Sequence, residues 1–182
     1  MIFLADYSKW YKYYEVNGVR EFQKDRGETF AGPSAGSFVL AVQDAVIAAE
    51  NAVIAAESLG IGSCYIGDIM EQKEYHKTLF NLPEYVFPVA MLTLGYYPED
   101  YMVPLKERFA EKYVVFEERY NELSKEDIDD MFRKRDQLFT AKNKYNAKNY
   151  AQMHYNFKVK APFSKEMQRS VEEALKEWDK KE

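Results

Sequence analysis

The sequence predicts an α/β or α+β protein in which helices flank a small sheet. Three short apolar segments, at residues 2–5, 64–66 and 85–95, are typical of buried strands. The clearest helical pattern, at residues 37–59, separates the first two segments. Strands and helices alternate without an obvious linker, so we expect residues 1–182 to form a single domain.

The N-terminal region is predicted to contain a strand, a helix and a loop. Residues 2–5, IFLA, are the predicted strand. The helix that follows can be capped by Asp6 or Ser8, and the pair Asn17-Gly18 is a typical helix end. Residues 18–37 contain four glycines and one proline, so we expect a mobile loop there.

The predicted helix at residues 37–59 carries a stripe of small apolar side chains and contains the near repeat AVIAAEN and AVIAAES. Two heptads are too few for a coiled coil, so we interpret the segment as one helix that Gly60 ends. Small side chains allow a neighbouring backbone to approach closely. We therefore expect this helix, including Val46 on its stripe, to be buried between other elements.

The remaining elements follow from shorter patterns. The mostly apolar segment 85–95 predicts a strand buried on both faces. Residues 106–116 are predicted to be extended or irregular. Further helices are expected over residues 72–79, 124–135, 149–157 and 164–180.

The composition excludes several function classes. A net charge of −5 argues against a nucleic-acid or anionic-membrane partner. The sequence contains no run of about 18 apolar residues, so we expect no membrane-spanning helix. The lone Cys64 rules out a disulfide framework within the chain, which fits a cytoplasmic protein. We expect Cys64 to be a buried packing residue rather than a nucleophile.

No catalytic side chain and no metal site are predicted, because the two histidines are far apart and familiar catalytic motifs are missing. Two patterns suit ligand binding. Gly62 and Gly67 would let a planar ligand approach the backbone, although both also fit a strand-end turn. Lys106 and Arg108 would point to one face of an extended segment and could bind phosphate, although both also fit solvated surface charge.

The order of these segments resembles the flavin-dependent nitroreductase family, in its branch of NAD(P)H-dependent nitro and flavin reductases. The resemblance begins with FVLAVQDAVIAAENAVIAAESLGIGSCYIGD and continues with LPEYVFPVAMLTLGYYPED at residues 82–100. It extends through PLKERF at 104–109, similar to the family's Lys-Pro-Arg-Leu-Pro, and through FEERY at 116–120. It covers nearly the whole chain.

This resemblance implies an α+β fold of three layers (α/β/α), with a mixed sheet flanked by helices, a central alanine-rich helix and an extended C-terminal segment. It also implies a cytoplasmic homodimer that binds FMN without a covalent bond at the dimer interface. Tyr65, Ile66 and Gly67 would contact the flavin ring, and Lys106 and Arg108 its phosphate or ribityl chain. The implied reaction passes electrons from NAD(P)H to nitroaromatics, quinones or flavins in a ping-pong scheme.

The sequence departs from the family pattern in three places. Relatives usually carry about 60 to 70 residues before the first matching strand, including an Arg-Ser-Xaa-Arg motif for the flavin. Asp68 stands where a second glycine is usual, and Glu107 replaces the proline between Lys106 and Arg108. We therefore expect either a fragment or a naturally shortened relative. The alternative function is a noncatalytic dimeric scaffold or relic.

Overall fold

The computed structural model describes residues 1–102 and 105–179. Pro104, which begins the PLKERF match, and Lys180, the predicted end of the last helix, lie outside the described residues. The chain divides into two compact units. The first unit comprises Met1–Glu99 and the segment that begins at Pro162, and the second comprises Asp100–Ala161. The single-domain organisation stays a prediction.

The first unit contains a three-stranded sheet, which confirms the three predicted strands. Its strands are β1 (Ile2–Asp6), β2 (Gly62–Ile66) and β3 (Val86–Gly95), in the order β1-β3-β2. Both pairings are antiparallel. The described residues therefore contain no parallel pair of the predicted mixed sheet. The N-terminal half of β3 is buried at successive residues, as predicted, but Thr93, Leu94 and Gly95 are exposed, so the predicted burial on both faces does not extend to the end of the strand.

Two short helices follow β1, where the sequence predicts one helix and a loop. Helix α1 (Ser8–Val16) ends as predicted at Asn17 and Gly18. Helix α2 (Val19–Asp25) contradicts the prediction of a loop over residues 18–37. Its residues include neither glycine nor proline, and Gly18 takes a left-handed φ of 69° that lets the chain turn and start a new helix.

Helix α3 (Ala35–Ser58) is the predicted long helix. The Ser34 and Ser37 side chains each accept a hydrogen bond from the other's backbone N–H, a reciprocal cap at the start of the helix. Gly60, with a φ of 72°, follows its end as predicted. The helix packs on the sheet through small side chains, and its buried residues are Phe38, Ala41, Ala45, Ala49 and Ala56.

A smaller part of the α3 surface is buried than the sequence predicts. Val46 is 45% exposed, and several large apolar side chains of the helix are exposed with it: Val39, Leu40, Ile47 and Ile54. The sequence pattern alone did not reveal that the sheet covers only the small-residue face. By length and composition α3 could cross a membrane, although only 17% of its most apolar window is buried; the buried residues Phe38, Ala41 and Ala45 belong to the core of the first unit.

The remaining helices agree with the predictions to within a few residues. Helices α4 (Lys73–Leu79) and α7 (Pro162–Trp178) belong to the first unit, where α7 adds Ala174 and Trp178 to the core formed by β1, β3 and α3. Helices α5 (Lys125–Asp136) and α6 (Tyr150–Lys158) belong to the second unit.

Candidate functional site

The best candidate for a ligand platform in the first unit is the end of β2. The strand ends at Ile66, and the chain continues directly into a 3-10 turn, Gly67–Met70. Gly67 is exposed, and beyond its neighbours in the chain no heavy atom lies within 4 Å of the place where a Cβ would be. A flat ligand can therefore approach this backbone without displacing a side chain.

Tyr65 lies just before this turn, on the same strand. Its side chain is exposed, and its hydroxyl donates a hydrogen bond of 3.2 Å to Oε2 of Glu50 on α3. Partial burial and the neighbouring Glu50 carboxylate raise the pKa of Tyr65. The hydroxyl therefore stays protonated at neutral pH, and the hydrogen bond holds the ring in place.

Gly62, at the start of β2, does not offer the open backbone that the sequence analysis expects. A Cβ at this position would lie 2.4 Å from Cε2 of Tyr97, because the tyrosine ring packs directly on the glycine. Gly62 therefore accommodates a ring of the chain itself, which corrects the interpretation of both glycines as ligand platforms. Of the two, only Gly67 faces open space.

Helix α7 anchors the backbone that follows Gly67. Ser170 is fully buried, and its hydroxyl donates to the Met70 carbonyl at 2.6 Å and accepts from the Lys73 N–H at 3.0 Å. Oε1 of Glu166 accepts from the Gln72 N–H at 3.1 Å. The turn and the start of α4 are thus held by side chains nearly a hundred residues further along the chain.

Ion pairs strengthen this attachment of α7 to α4. Arg169 donates to Glu74 at 2.8 Å and to Glu166 at 2.8 Å, and the Arg169 hydrogen bonds lower the pKa of Glu74 to about 2. Glu177 accepts hydrogen bonds from Lys73 and Lys77. Burial opposes ionisation of Glu177, but the two lysines outweigh it and lower the pKa of that carboxyl.

The surroundings of Gly67 are acidic. Asp68 follows it in the turn, and burial together with the charges of Asp68 and Glu166 raises the pKa of Glu71. This local field favours cations and neutral groups over anions. A ligand whose phosphate needs a positive partner must find that partner elsewhere in the chain.

Lys106 and Arg108 lie in the second unit, in an irregular segment, and both side chains are exposed. Neither has a hydrogen-bond or ion-pair partner among the described residues, so their donors are available to an anion. Glu107, between them, forms an ion pair with Lys134 of α5 at 2.7 Å. The structure thus places Tyr65, Ile66 and Gly67 together in one unit and the two cations in the other.

Cys64 is exposed, which contradicts the expectation of a buried packing residue. The reason is that β2 contributes no residue to the buried core cluster of the described residues, which β1, β3, α3 and α7 form. Sequence analysis also missed Glu50, Tyr97, Glu166 and Ser170, because their partners are distant in the chain. One signal was present for Ser170, which shares a four-residue spacing with Ala174 and Trp178, the other buried residues of α7.

Comparison with known proteins identifies the class of this protein. A profile of the nitroreductase family matches residues 5–96, about half of the chain and most of the first unit. The chain therefore belongs to the nitroreductase family, a family of oxidoreductases. The match includes the end of β1, the long helix α3 and the turn at Gly67, so the predicted family is confirmed.

Particular relatives support the same assignment. A Cr(VI) reductase of Pseudomonas sp. strain G-1 is 38% identical over 72 residues, which are 40% of this chain and 30% of that protein. The structure of B. megaterium NfrA2 is 28% identical, with a TM-score of 0.72 over 100% of this chain and 69% of that chain. The predicted nitroreductase-like α+β fold is thereby confirmed.

A more distant structure shares the fold alone. The NADPH:FMN oxidoreductase of Vibrio harveyi, in complex with NAD+, is 20% identical, with a TM-score of 0.66. The match covers 96% of this chain and 65% of that one. The chain thus spans less than a third of the Cr(VI) reductase and about two thirds of these structural relatives.

Proposed function

We propose that the protein is an FMN-dependent reductase that passes electrons from NAD(P)H to small planar acceptors such as nitroaromatics, quinones or flavins. The observation that carries the proposal is the open backbone at Gly67, at the end of a family-matching strand. FMN, when bound, supplies the redox chemistry, and the protein supplies binding and orientation. The names of a Cr(VI) reductase and an NADPH:FMN oxidoreductase among the relatives support this choice.

The residues present fit a flavin in two respects. In the first unit, Ile66 and Gly67 present backbone to the flavin ring, and the Tyr65 ring, held by Glu50, borders that surface. In the second unit, Lys106 and Arg108 offer unpaired cations to the phosphate or ribityl chain. This separation of roles agrees with the acidic surroundings of Gly67, which suit an uncharged ring better than a phosphate.

A homodimer is part of the proposal, and its basis is the exposed apolar surface of α3. Leu40, Ile47 and Ile54 are each about 60% exposed, which is unusual for a helix at the centre of a fold. A second copy of the chain would cover these side chains. We further propose that the protein acts in the cytoplasm, since its composition contains no disulfide framework.

The direct test is flavin binding and reduction by the purified chain. We expect it to retain added FMN and to oxidise NAD(P)H in the presence of a quinone. A chain that cannot be loaded with FMN would contradict the reductase and favour a noncatalytic relic of the fold. Because the flavin supplies the redox chemistry, activity should be lost with the flavin.

The double variant Lys106→Ala/Arg108→Ala tests whether these two cations of the second unit bind the flavin phosphate. Each charge-assisted contact to phosphate is worth roughly 1.5 to 3 kcal/mol, so loss of the two contacts should lower FMN affinity by at least about a hundredfold without a change in melting temperature. Fluorescence quenching of FMN measures the affinity. Arg119→Ala/Lys142→Ala is the matched control, since it removes the same charge from the same unit. Equal affinities in the two double variants would refute the assignment.

A further inference from the structure

The two tryptophans of the chain, Trp10 and Trp178, have opposite environments within the first unit. Trp178 ends α7 in the core and is 1% exposed, whereas Trp10 lies on α1 and is 57% exposed. Indole and phenol rings lose a single electron more readily than other aromatic side chains do. A continuous row of such rings between the two tryptophans would therefore join the core to the surface by a path for electrons.

Tyr7 connects Trp178 to the start of α1. The centroids of the two rings lie 6.1 Å apart, with an angle of 57° between the ring planes. The backbone N–H of Tyr7 donates a hydrogen bond of 3.0 Å to the Tyr85 carbonyl, which fixes the start of the helix beside the core. At this separation an electron can pass directly from one ring to the other.

The hydroxyl of Tyr7 interacts with the hydroxyls of Tyr14 and Ser37. Burial and the neighbouring Tyr14 raise the pKa of Tyr7, and the hydrogen bond with Ser37 opposes them. Tyr7 is therefore a neutral phenol at neutral pH, and it must release its proton when it loses an electron. Tyr14 lies seven residues further along, on the same face of α1, and is only half-buried, so its oxygen leads the proton towards solvent.

The row ends in a cluster of three rings on the surface of α1. The centroid of Trp10 lies 5.9 Å from that of Tyr14 and 6.1 Å from that of Tyr13. The two tyrosine rings are 6.2 Å apart. Spacings of three and four residues along a helix bring these side chains together. Because Trp10 and Tyr13 are each 57% exposed, a soluble reductant can reach the cluster.

We propose that the row Trp178, Tyr7, Tyr14 and Trp10 is an electron relay that removes oxidising equivalents from the core of the first unit. A one-electron oxidant of the oxygen-radical class takes an electron from Trp178 and is reduced to its anion. Tyr7 returns an electron to the Trp178 radical cation and releases its hydroxyl proton towards Tyr14 and water. Trp178 is thereby restored, and the oxidised site has moved one ring closer to the surface.

The second half of the relay delivers the oxidised site to solvent. Trp10 gives an electron to the Tyr7 radical by way of Tyr14 and loses its indole proton to water, while Tyr7 regains a proton. A soluble thiol then gives one hydrogen atom to the Trp10 radical, and two thiyl radicals combine to a disulfide. None of these residues belongs to the proposed flavin site, so the relay does not depend on the proposed function.

Flash photolysis tests the relay in a chain whose single tryptophan is Trp178. The variant Trp10→Phe provides that chain. Light that tryptophan absorbs and tyrosine does not ionises Trp178 in the presence of an electron scavenger, and transient absorption follows the conversion of the indole radical into a phenoxyl radical. Adding Tyr7→Phe should slow this conversion at least about tenfold, because phenylalanine is much harder to oxidise and raises the barrier.

Tyr85→Phe in the same background is the matched control. Tyr85 also contacts Trp178, with centroids 6.2 Å apart, but its ring is nearly perpendicular at 86° and couples more weakly with the indole. This substitution should change the rate of conversion by less than about twofold. Equal slowing by Tyr7→Phe and Tyr85→Phe, or a rate that Tyr7→Phe leaves unchanged, would overturn the proposal.

Product analysis tests the exit at Trp10. Wild type, Tyr7→Phe and Trp10→Phe receive the same illumination with glutathione as the thiol, and mass spectrometry measures the fraction of Trp178 that becomes oxygenated. We expect roughly threefold or greater damage to Trp178 in both variants, since the competing relay step is slowed. Trp10→Phe changes an exposed side chain and keeps the test valid if Tyr7→Phe folds poorly. Equal damage in all three proteins would refute the relay.

Discussion

Gly62 begins β2 and Gly67 directly follows its end, and the two glycines have opposite surroundings. The ring of Tyr97 packs on Gly62, whereas Gly67 faces open space. Neither glycine has a positive φ, so an added methyl group meets only its neighbours and not a backbone penalty. Substitution of each therefore isolates a different property, packing at Gly62 and ligand access at Gly67.

We expect Gly62→Ala to destabilise the fold by about 1 to 3 kcal/mol, because the new methyl group must displace the Tyr97 ring. Urea denaturation measures the change. The double variant Gly62→Ala/Tyr97→Ala lacks the opposing ring. Its loss in the free energy of unfolding should therefore be smaller than the sum of the losses in Gly62→Ala and Tyr97→Ala. Strict additivity would show that the two residues do not interact.

Gly67→Ala should leave stability almost unchanged but weaken FMN binding, if the flavin ring lies on this backbone. Gly95→Ala is the control for the same substitution, because Gly95 also has open space around it and has no proposed ligand contact. FMN affinity that is equal in the two variants would count against Gly67 as a flavin contact.

Helix α7 is the element on which the candidate platform depends. Ser170 joins it to both ends of a short segment, the Met70 carbonyl and the Lys73 N–H. Glu166 adds a contact between them, at Gln72, a residue with a left-handed φ of 50°. Such a backbone conformation is uncommon for a residue other than glycine and needs support from its surroundings.

Ser170→Ala should lower the free energy of unfolding by about 1 to 3 kcal/mol, because two partly buried backbone groups lose their partner. Hydrogen exchange should also quicken at the amides of residues 71–73. Glu177→Gln is the matched control, since it weakens the attachment of α7 to α4 but leaves both hydrogen bonds of Ser170 intact. If exchange at residues 71–73 quickens as much in Glu177→Gln as in Ser170→Ala, the result would argue against a specific role for Ser170.

The sequence predicted most elements because their signals are local. The stripe of alanines in α3, the stop at Gly60 and the apolar β3 all follow from neighbouring residues. Helix α2 was missed because flanking glycines outweighed a short segment of ordinary helix formers. The exposure of Cys64 and Val46, the ring on Gly62 and the anchors in α7 depend on tertiary contacts, which local patterns do not contain.

The whole molecule should lose stability in acid, because the ion pairs between α4 and α7 need ionised carboxylates. The pKa of Glu74 is about 2 in the folded chain against an ordinary value of 4.5, and that of Glu177 is also lowered. A lowered carboxyl pKa stabilises the fold above the ordinary value, and this contribution is lost as pH falls towards the folded value. We therefore expect the melting temperature to fall as pH decreases from about 4.5 towards 2.

The variant Glu74→Gln identifies the source of this acid sensitivity. It cannot titrate, so its melting temperature should start lower at neutral pH and fall less steeply over the same range. Glu126→Gln, which changes an exposed carboxylate of the second unit, should keep the wild-type slope. Identical slopes in all three proteins would show that the contacts of Arg169 with Glu74 do not control acid unfolding.

Association of two chains is the second property of the whole molecule. Ile54→Glu places a charge on the exposed face of α3 and should convert the proposed dimer into a monomer. Analytical ultracentrifugation of both proteins in buffer without detergent measures the mass. Thr29→Glu, which adds the same charge at an exposed residue outside α3, should remain dimeric. A wild-type monomer would contradict the homodimer.

The return of the chain to the first unit also sets an order of folding. The contacts of Gln72 and Lys73 with α7 join residues 94 and 97 positions apart, and β1 pairs with β3 over a similar distance along the chain, whereas β2 pairs with β3 through residues as near as Ile66 and Met91. Closing a longer loop costs more chain entropy, and distant contacts form slowly. The pair of β2 and β3 should therefore form first, and β1 and α7 should join it later, so that the backbone after Gly67 acquires its final shape only in a late step of folding.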